Sequence, residues 1–443
     1  MIIAAVRRSL AENRVPARMM IGLSGGADSV ALTLALSALR QEQGLELSAV
    51  YVHHGLRKAA DEEAEFCRSL CEGLNIRYML RRVQVSGCGS PEAAARAARY
   101  AAFRDAMSEA GAETLALAHH RDDQAETVLL HLLYGAGADG LSGMAEYRPP
   151  VWRPLLSLSR DDLRSALREA GQEWREDASN ADTRFTRNAL RARVMPQICA
   201  VFPQAPAAIA RAAGLMRDEN DYLNQLAAQW ITSHTGRGRQ AFLLSAPLSA
   251  QHAALQRRIL RAYAAERGVS LDAAQTERLR MLLAAPPGTY ENLPGSWRAL
   301  RTRERVHLLP PEKAEPPIPD QSDLRISPFK GEDRGDGKLR QAFPQAMLRE
   351  TKLRTRRPGD YIHPFGMQGK MKLKDYMIAR RVDQPFREDW PLLCRASEVL
   401  WVIGIGASQA AQISSDAEDA VMLEYTGSLP DHIEGGHTNA EGI

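Results

Sequence analysis

The stretch Met19-Met20-Ile21-Gly22-Leu23-Ser24-Gly25-Gly26-Ala27-Asp28-Ser29-Val30-Ala31-Leu32 decides the fold of this chain. An apolar run enters a glycine turn, and a second apolar run leaves it, which reads as strand, loop and helix. Backbone N–H groups at such a helix start are free, and the helix dipole favours an anion there. Gly25 and Gly26 carry no Cβ, so the backbone can approach a phosphate closely. Ser24 and Ser29 add hydroxyl donors. Asp28 alone would repel a phosphate; it makes sense if Mg²⁺ sits between them. No lysine follows the glycines, so this is not a Walker loop.

Working outward, strands and helices alternate. Strands are expected over 45–52, 77–85 and 114–118, with an amphipathic helix carrying Ala64, Cys67, Leu70, Cys71 and Leu74 on one face, and helices over 91–110 and 123–134. Such alternation predicts a parallel sheet covered on both faces, with ligands at the carboxyl ends of its strands. The glycine loop, His53-His54 and His119-His120 all fall at those ends. The run His119-His120-Arg121-Asp122-Asp123-Gln124-Ala125-Glu126 forms a second chemical cluster. Asp123 and Glu126 share a helix face and suit a Mg²⁺ or an attacking amine. Equally, carboxylates at a helix start simply favour the dipole. No thiolate pairs flank the histidines, which excludes a structural zinc site.

Two patterns mislead. Gly135-Ala136-Gly137-Ala138-Asp139-Gly140 has dinucleotide-loop spacing but follows a helix, so it reads as a helix end and a flexible loop. Cys67 and Cys71 lie on the apolar face of a helix and read as core.

Composition bounds the rest. A chain of 443 residues, 44% hydrophobic and 25% charged, can bury more than one core. Its net charge of +3 makes any nucleic-acid surface local. Five scattered cysteines argue against a disulfide framework. The short apolar start ends at Arg7-Arg8, and no run approaches a membrane span, so a cytoplasmic protein is expected, with no membrane contact. No protein partner is implied.

After residue 200 the chain becomes alanine-rich and helical, with Arg257, Arg258 and Arg261 as a basic face. Pro310, Pro311, Pro316, Pro317 and Pro319, then a charged glycine-rich stretch, read as a linker. Residues 349–381 hold ten cations against three anions, interleaved with Tyr361, Phe365 and Tyr376, which points to phosphate contact.

The form Ser-Gly-Gly-x-Asp-Ser resembles the pyrophosphate loop of the N-type ATP pyrophosphatases. Further blocks accompany it. They are Val52-His53-His54-Gly55-Leu56-Arg57, then 94–103 with Arg96, Arg99 and Tyr100, then 118–127 and Gly140-Leu141-Ser142-Gly143-Met144. Trp174-Arg175-Glu176-Asp177-Ala178-Ser179-Asn180, Phe185-Thr186-Arg187-Asn188, Arg191 and Val194-Met195-Pro196 follow. In this order the set resembles the bacterial tRNA(Ile)-lysidine synthases, over about 18–200 and again beyond about 350. Tyr134 stands where that family usually has arginine, and Ala178 where it usually has proline.

The resemblance implies an α/β fold. It places a parallel-sheet PP-loop (adenine nucleotide α hydrolase-like) domain over 1–205 and a helical tRNA-recognition domain over 206–309. A linker over 310–345, a small basic α+β C-terminal domain over 346–427 and a disordered tail over 428–443 complete the expectation. The implied reaction uses ATP and Mg²⁺ to adenylate C2 of the wobble cytidine in the CAU-anticodon isoleucine tRNA. The amine of L-lysine then displaces AMP, giving lysidine, which reads AUA instead of AUG. ATP is expected on Ser24, Gly25, Gly26, Ala27, Asp28, Ser29, His53 and His54, with Asp28 on the metal. Asp122, Asp123 and Glu126 would handle lysine or metal. His119, His120, Arg187, Asn188 and Arg191 are expected at the tRNA, with Arg356, Arg357, Lys372 and Lys374 in the C-terminal part. The alternative is another PP-loop tRNA-modifying enzyme such as a thiolase, although the chain has no Cys-x-x-Cys pair.

Overall fold

The computed structural model describes residues 1–53, 59–84, 91–176, 183–235, 242–311, 319–329, 333–367, 369–411, 413, 419–427 and 429. His54, Cys88, Ala178 and nearly all of 428–443 lie outside them. The chain forms two compact units, Met1–Tyr222 and Leu223–Ile443.

The first unit opens with α1 (Ile2–Asn13) and β1 (Arg18–Gly22), then α2 (Ala27–Leu39), β2 (Glu46–His53), α3 (Ala59–Gly73) and β3 (Arg77–Arg82). Next come α4 (Pro91–Ala110), β4 (Thr114–Ala116), α5 (Arg121–Leu133), α6 (Ala138–Leu141), β5 (Tyr147–Arg148), β6 (Val151–Trp152) and α7 (Arg160–Glu169). The sheet order is β3-β2-β1-β4-β6-β5, parallel except for the β5 edge. Its interior strands are apolar on both faces, as burial under helices requires. Met19 and Ile21 pack towards α1, α2 and α7, while Met20 and Val50 pack with Phe103 and Met107 of α4. The chain leaves β1 for β2 and β3, then returns to β1's other side as β4. That reversal opens a crevice between the carboxyl ends of β1 and β4.

The expected elements are present, with ends shifted by a few residues. Gly135, at φ +72°, ends α5 as expected, and the loop that follows contains the turn of helix α6. Cys67 and Cys71 are fully buried; burial pushes the Cys71 thiol up to about 12 and that of Cys67 higher still. Both are core.

Short helices α8 (Thr186–Ala189) and α9 (Met195–Val201) flank a π-helical turn over Leu190–Val194, and the long α10 (Ala205–His234) follows. Arg217 of α10 donates to the Ser142 and Met144 carbonyls, and Asn220 donates to Asp139. Those contacts carry the first unit to 222, past the expected boundary at 205.

The second unit begins with β7 (Phe242–Leu244), α11 (Ser245–Ser249), α12 (Ala253–Ala265), α13 (Ala273–Leu282), β8 (Tyr290–Asn292), β9 (Arg298–Arg301) and β10 (Arg305–Leu309). Helices pack on an antiparallel sheet β7-β10-β9-β8, around Leu243, Ile259, Leu260, Tyr263, Leu279 and Val306. Helical spacing alone does not announce this sheet, because its strands are only three to five residues long. The basic face is partly engaged within the fold: Arg257 pairs with Glu277, and Arg258 is buried and donates to the Asn224 side chain.

The segment expected to be a linker contains β11 (Leu324–Pro328) and β12 (Arg340–Pro344). Both pair with β19 (Ala420–Tyr425) in a three-stranded sheet. Pro328 and Pro344 stand at the ends of edge strands, where a missing N–H is tolerated. A second sheet runs β13 (Thr351–Arg354), β16 (Leu392–Arg395), β17 (Glu398–Val402), β14 (Tyr361–Ile362), β15 (Met371–Lys372), with β18 (Gly406–Ala407) beside β17. Helix α14 (Leu373–Ala379) packs on it through Leu373, Tyr376 and Met377. Among the described residues no single helix is long and apolar enough to cross a membrane.

Candidate active site

The glycine loop crosses from β1 to α2 at the crevice. Gly26 is the N-cap of α2, and no side chain caps that end, so its leading N–H groups are left for a ligand. Gly25 takes φ +80°, and a Cβ there would stand 3.3 Å from Cys67 Sγ. The Ser29 hydroxyl donates to the Gly26 carbonyl (3.0 Å) and accepts from the Ser24 N–H (3.1 Å). Ser29 therefore braces the loop, while Ser24 is exposed on it. Arg175 donates its N–H to the Gly25 carbonyl at 2.8 Å, and its guanidinium covers the Phe66 ring at 4.6 Å. This clamp is absent from the expected site; its only sequence signal is its place beside Trp174 and Glu176 in a recognisable block.

Across the crevice, α5 begins with a reciprocal cap. The Asp123 carboxylate accepts from the His120 N–H at 3.1 Å, and the Asp123 N–H approaches His120 Nδ1 at 3.4 Å. His120 Nε2 lies 3.5 Å from Asp28 Oδ2 and 3.3 Å from Asp123 Oδ2, while Nδ1 lies 3.5 Å from Asp122 Oδ2. Burial disfavours the charged ring, but Asp122 and Asp28 outweigh it and raise the imidazole to about 9. The charged ring donates from both nitrogens, so the long contact to the Asp123 N–H belongs to the neutral form only. Next door, burial together with Arg153, Arg187 and Arg99 lowers His119 to about 4. The two neighbours are thus shifted in opposite directions, His120 towards its charged form and His119 towards its neutral form.

The four expected carboxylates separate into two kinds. Asp122 accepts from the Arg160 N–H at 2.8 Å; burial opposes its charge, but His120 and that amide bring it down to about 2. Asp123 and the buried Glu126 face Arg187 and Arg191 in a four-member network with contacts of 2.6–3.1 Å. Asn188 lies between the two arginines in sequence, half-buried at α8. Only Asp28, about a third exposed (35%), keeps an oxygen, Oδ1, that is buried without a hydrogen-bond partner. His53 is buried with Nε2 3.3 Å from Asp61 Oδ1, on β2 beyond the loop.

A magnesium ion fits this donor set. Mg²⁺ takes oxygen ligands, commonly one or two carboxylates plus phosphates and water. Asp28 Oδ1 offers one such oxygen beside the free amides. Among the described residues no group of three His, Cys, Asp or Glu could hold a metal unaided.

The linkage has a definite sign. His120 is raised, so its contribution to stability is complete below about pH 6.5 and is lost as pH climbs through its folded value. Asp122 is lowered, so its contribution is complete above about pH 4 and is lost as pH falls through its folded value. Urea titrations from pH 6.5 to about 9 should show stability declining in the wild type and a flatter profile in His120→Gln. An equal slope in the variant would contradict the assignment.

In the C-terminal part the cations divide. Arg354 forms a buried double pair with Asp360 and is structural. Arg356 pairs with Glu388, while Arg357, Lys372 and Lys374 are exposed. Lys370 and Lys372 line a groove of about 310 Å³ with Met367 and Asp375. If the exposed cations meet phosphates, replacing Lys372 and Lys374 by glutamine lowers the slope of log affinity against log salt by about two. Replacing Arg356 alone changes it little. Equal slopes for the lysine double variant and the wild type would remove these lysines from the interface.

A parallel sheet with an uncapped glycine loop at its switch point defines the PP-loop class of ATP-using enzymes, and the PP-loop domain profile matches residues 3–198. The TilS substrate binding domain matches 243–307, and the TilS substrate C-terminal domain matches 351–424. The chain is 34% identical to the tRNA(Ile)-lysidine synthase of Pseudomonas syringae, over 91% of this chain and 92% of that one. Against the enzyme of the same name from Chromobacterium violaceum it is 36% identical, over 88% and 92%. It belongs to the tRNA(Ile)-lysidine synthase family, whose members are ATP-dependent tRNA-modifying ligases.

Proposed function

We propose that this chain joins L-lysine to C2 of the wobble cytidine in the CAU-anticodon isoleucine tRNA, through an adenylated cytidine, releasing pyrophosphate and then AMP. The observation that carries the reading is Asp28 Oδ1, unpartnered beside the uncapped start of α2. Those amides receive the pyrophosphate portion of ATP, and Gly25 and Gly26 let it approach. Asp28 would hold Mg²⁺, which when bound would supply neutralisation of charge on the leaving pyrophosphate. His120, a cation within reach of Asp28, sets that carboxylate's orientation. Asp123 and Glu126 are paired with Arg187 and Arg191, so this acidic wall would take the ammonium of lysine only on exchanging those guanidinium partners. That ammonium must lose a proton before its nitrogen can attack. Arg187, Asn188 and Arg191 sit beside this wall, where RNA phosphates would find the two arginines.

The test is ATP-dependent transfer of labelled lysine into unmodified isoleucine tRNA bearing CAU, with methionine tRNA as control. Label in the first tRNA alone is the expected result. Pyrophosphate release without label would keep the adenylation and reject lysine as the nucleophile.

A further inference from the structure

Two modules of the second unit meet at a part-buried carboxylate, that of Asp383. The turn joining β9 to β10 is closed by the Thr302 N–H donating to the Arg305 carbonyl at 2.8 Å. From this side, the Thr302 hydroxyl donates to Asp383 Oδ2 at 3.0 Å. His307 Nε2 lies 3.3 Å from the same oxygen, and Arg305 reaches it at 3.9 Å. His307 is fully buried, with its ring against Phe242 of its own module (5.8 Å) and Phe386 of the other (5.2 Å). At the rim, Arg381 pairs with Glu304 at 3.4 Å.

Both sides of this joint are rigid. Asp383 lies between Val382 and Phe386, two core residues of the C-terminal module, and the Val382 N–H donates to the Met377 carbonyl at 2.9 Å. Thr302 and His307 bracket a tight hairpin of the substrate-binding module. The stretch ending at Asp383 also carries the exposed Lys370, Lys372, Lys374, Arg380 and Arg381. A hydrophobic contact between the modules would need no carboxylate. A part-buried carboxylate set against two hydrogen-bonding groups, with a guanidinium at 3.9 Å, gives a directional lock, because a displaced Asp383 leaves the buried Thr302 and His307 without this partner.

We propose that Asp383 is a positioning residue for tRNA, pinning the basic C-terminal module to the substrate-binding module so that both engage one RNA together. The proposal rests on the reading that the exposed cations of residues 370–381 meet tRNA. Without the pin the two surfaces bind as loosely tethered sites, and the gain from simultaneous engagement falls.

The experiment uses full-length Asp383→Asn and Asp383→Ala, with a spin label on each module and isoleucine tRNA as the probe. The pin predicts a broader inter-module distance distribution and a rise of about tenfold in KM and Kd for tRNA, with KM for ATP unchanged. The direction is diagnostic. Removing a negative charge near a basic surface strengthens polyanion binding by electrostatics alone, whereas loss of the pin weakens it. Asp383→Glu, which keeps the charge, should recover part of the affinity. Unchanged or tighter tRNA binding, or an unchanged distance distribution in Asp383→Asn, overturns the proposal. Equal losses in the tRNA and ATP parameters would make Asp383 a folding residue only and also overturn it. If the wild type makes no lysidine, the functional reading fails, while the distance measurement still decides the pin.

Discussion

Asp28→Ala abolishes ATP-dependent tRNA modification, with kcat falling by about a thousandfold or more, while the protein stays folded. The reasoning begins with exposure. Asp28 is the one expected catalytic carboxylate whose Oδ1 is buried without a partner, and its side chain is still about a third exposed (35%). Its removal breaks one ion pair, the 3.5 Å contact with His120. His120 keeps Asp122 and Asp123 as neighbours. The cost to the fold is the loss of that part-exposed contact and of an acid in the first turn of α2, each about 1 kcal/mol or less. A Mg²⁺ ion that Asp28 would hold, by contrast, would lose its protein ligand. Steady-state kinetics and a thermal melt, run together, check both halves. An active Asp28→Ala enzyme would remove the metal role, and an unfolded one would remove the argument from exposure.

Glu126→Ala is expected to act through stability instead. Glu126 is 2% exposed, and both its oxygens accept from Arg187 and Arg191. Truncation leaves two guanidinium groups in a part-buried site with Asp123 as their remaining close carboxylate. Breaking a buried pair from one side costs about 3–5 kcal/mol. For a unit of this size that lowers Tm by roughly 10 °C. Glu126→Gln, which keeps shape and one acceptor, should lose less. A purely catalytic Glu126 gives a different pattern: activity falls sharply and Tm holds. Melting curves of the two variants separate the cases.

These two acids show where reading the chain stops. Asp28 lies within the glycine-loop motif and Glu126 within the second cluster, but nothing in the local sequence of either shows which of them has guanidinium partners. The difference lies in Arg187 and Arg191, more than sixty residues along the chain. A short π-helical turn beside α8 sets the two arginines on one face towards α5. The same limit applies further on. β11 and β12 lie in a stretch of prolines, glycines and charges that reads as linker, because their pairing partner β19 begins only at Ala420. β11 has no fully buried residue and β12 buries two adjacent ones, Ala342 and Phe343, so neither shows the alternation that would betray a strand. His307 and Asp383 are 76 positions apart, and neither stands in a motif.

The sequence by itself determined the local chemistry. An apolar run, two glycines and an apolar helix leave little choice about a strand–loop–helix anion cradle, because that geometry depends on φ, Cβ and N–H groups within a dozen residues. It also determined the alternation that makes the sheet parallel, and the ordered blocks that carry the family resemblance. The tertiary structure decided which groups remain available. Strand order brings the ends of β1 and β4 side by side, which sets His120 against Asp28. Long-range packing then ties up Asp122, Asp123 and Glu126 and leaves one oxygen of Asp28 without a partner. Partnership between charges depends on distances of a few ångströms through space, and the order of residues along a chain does not record those distances.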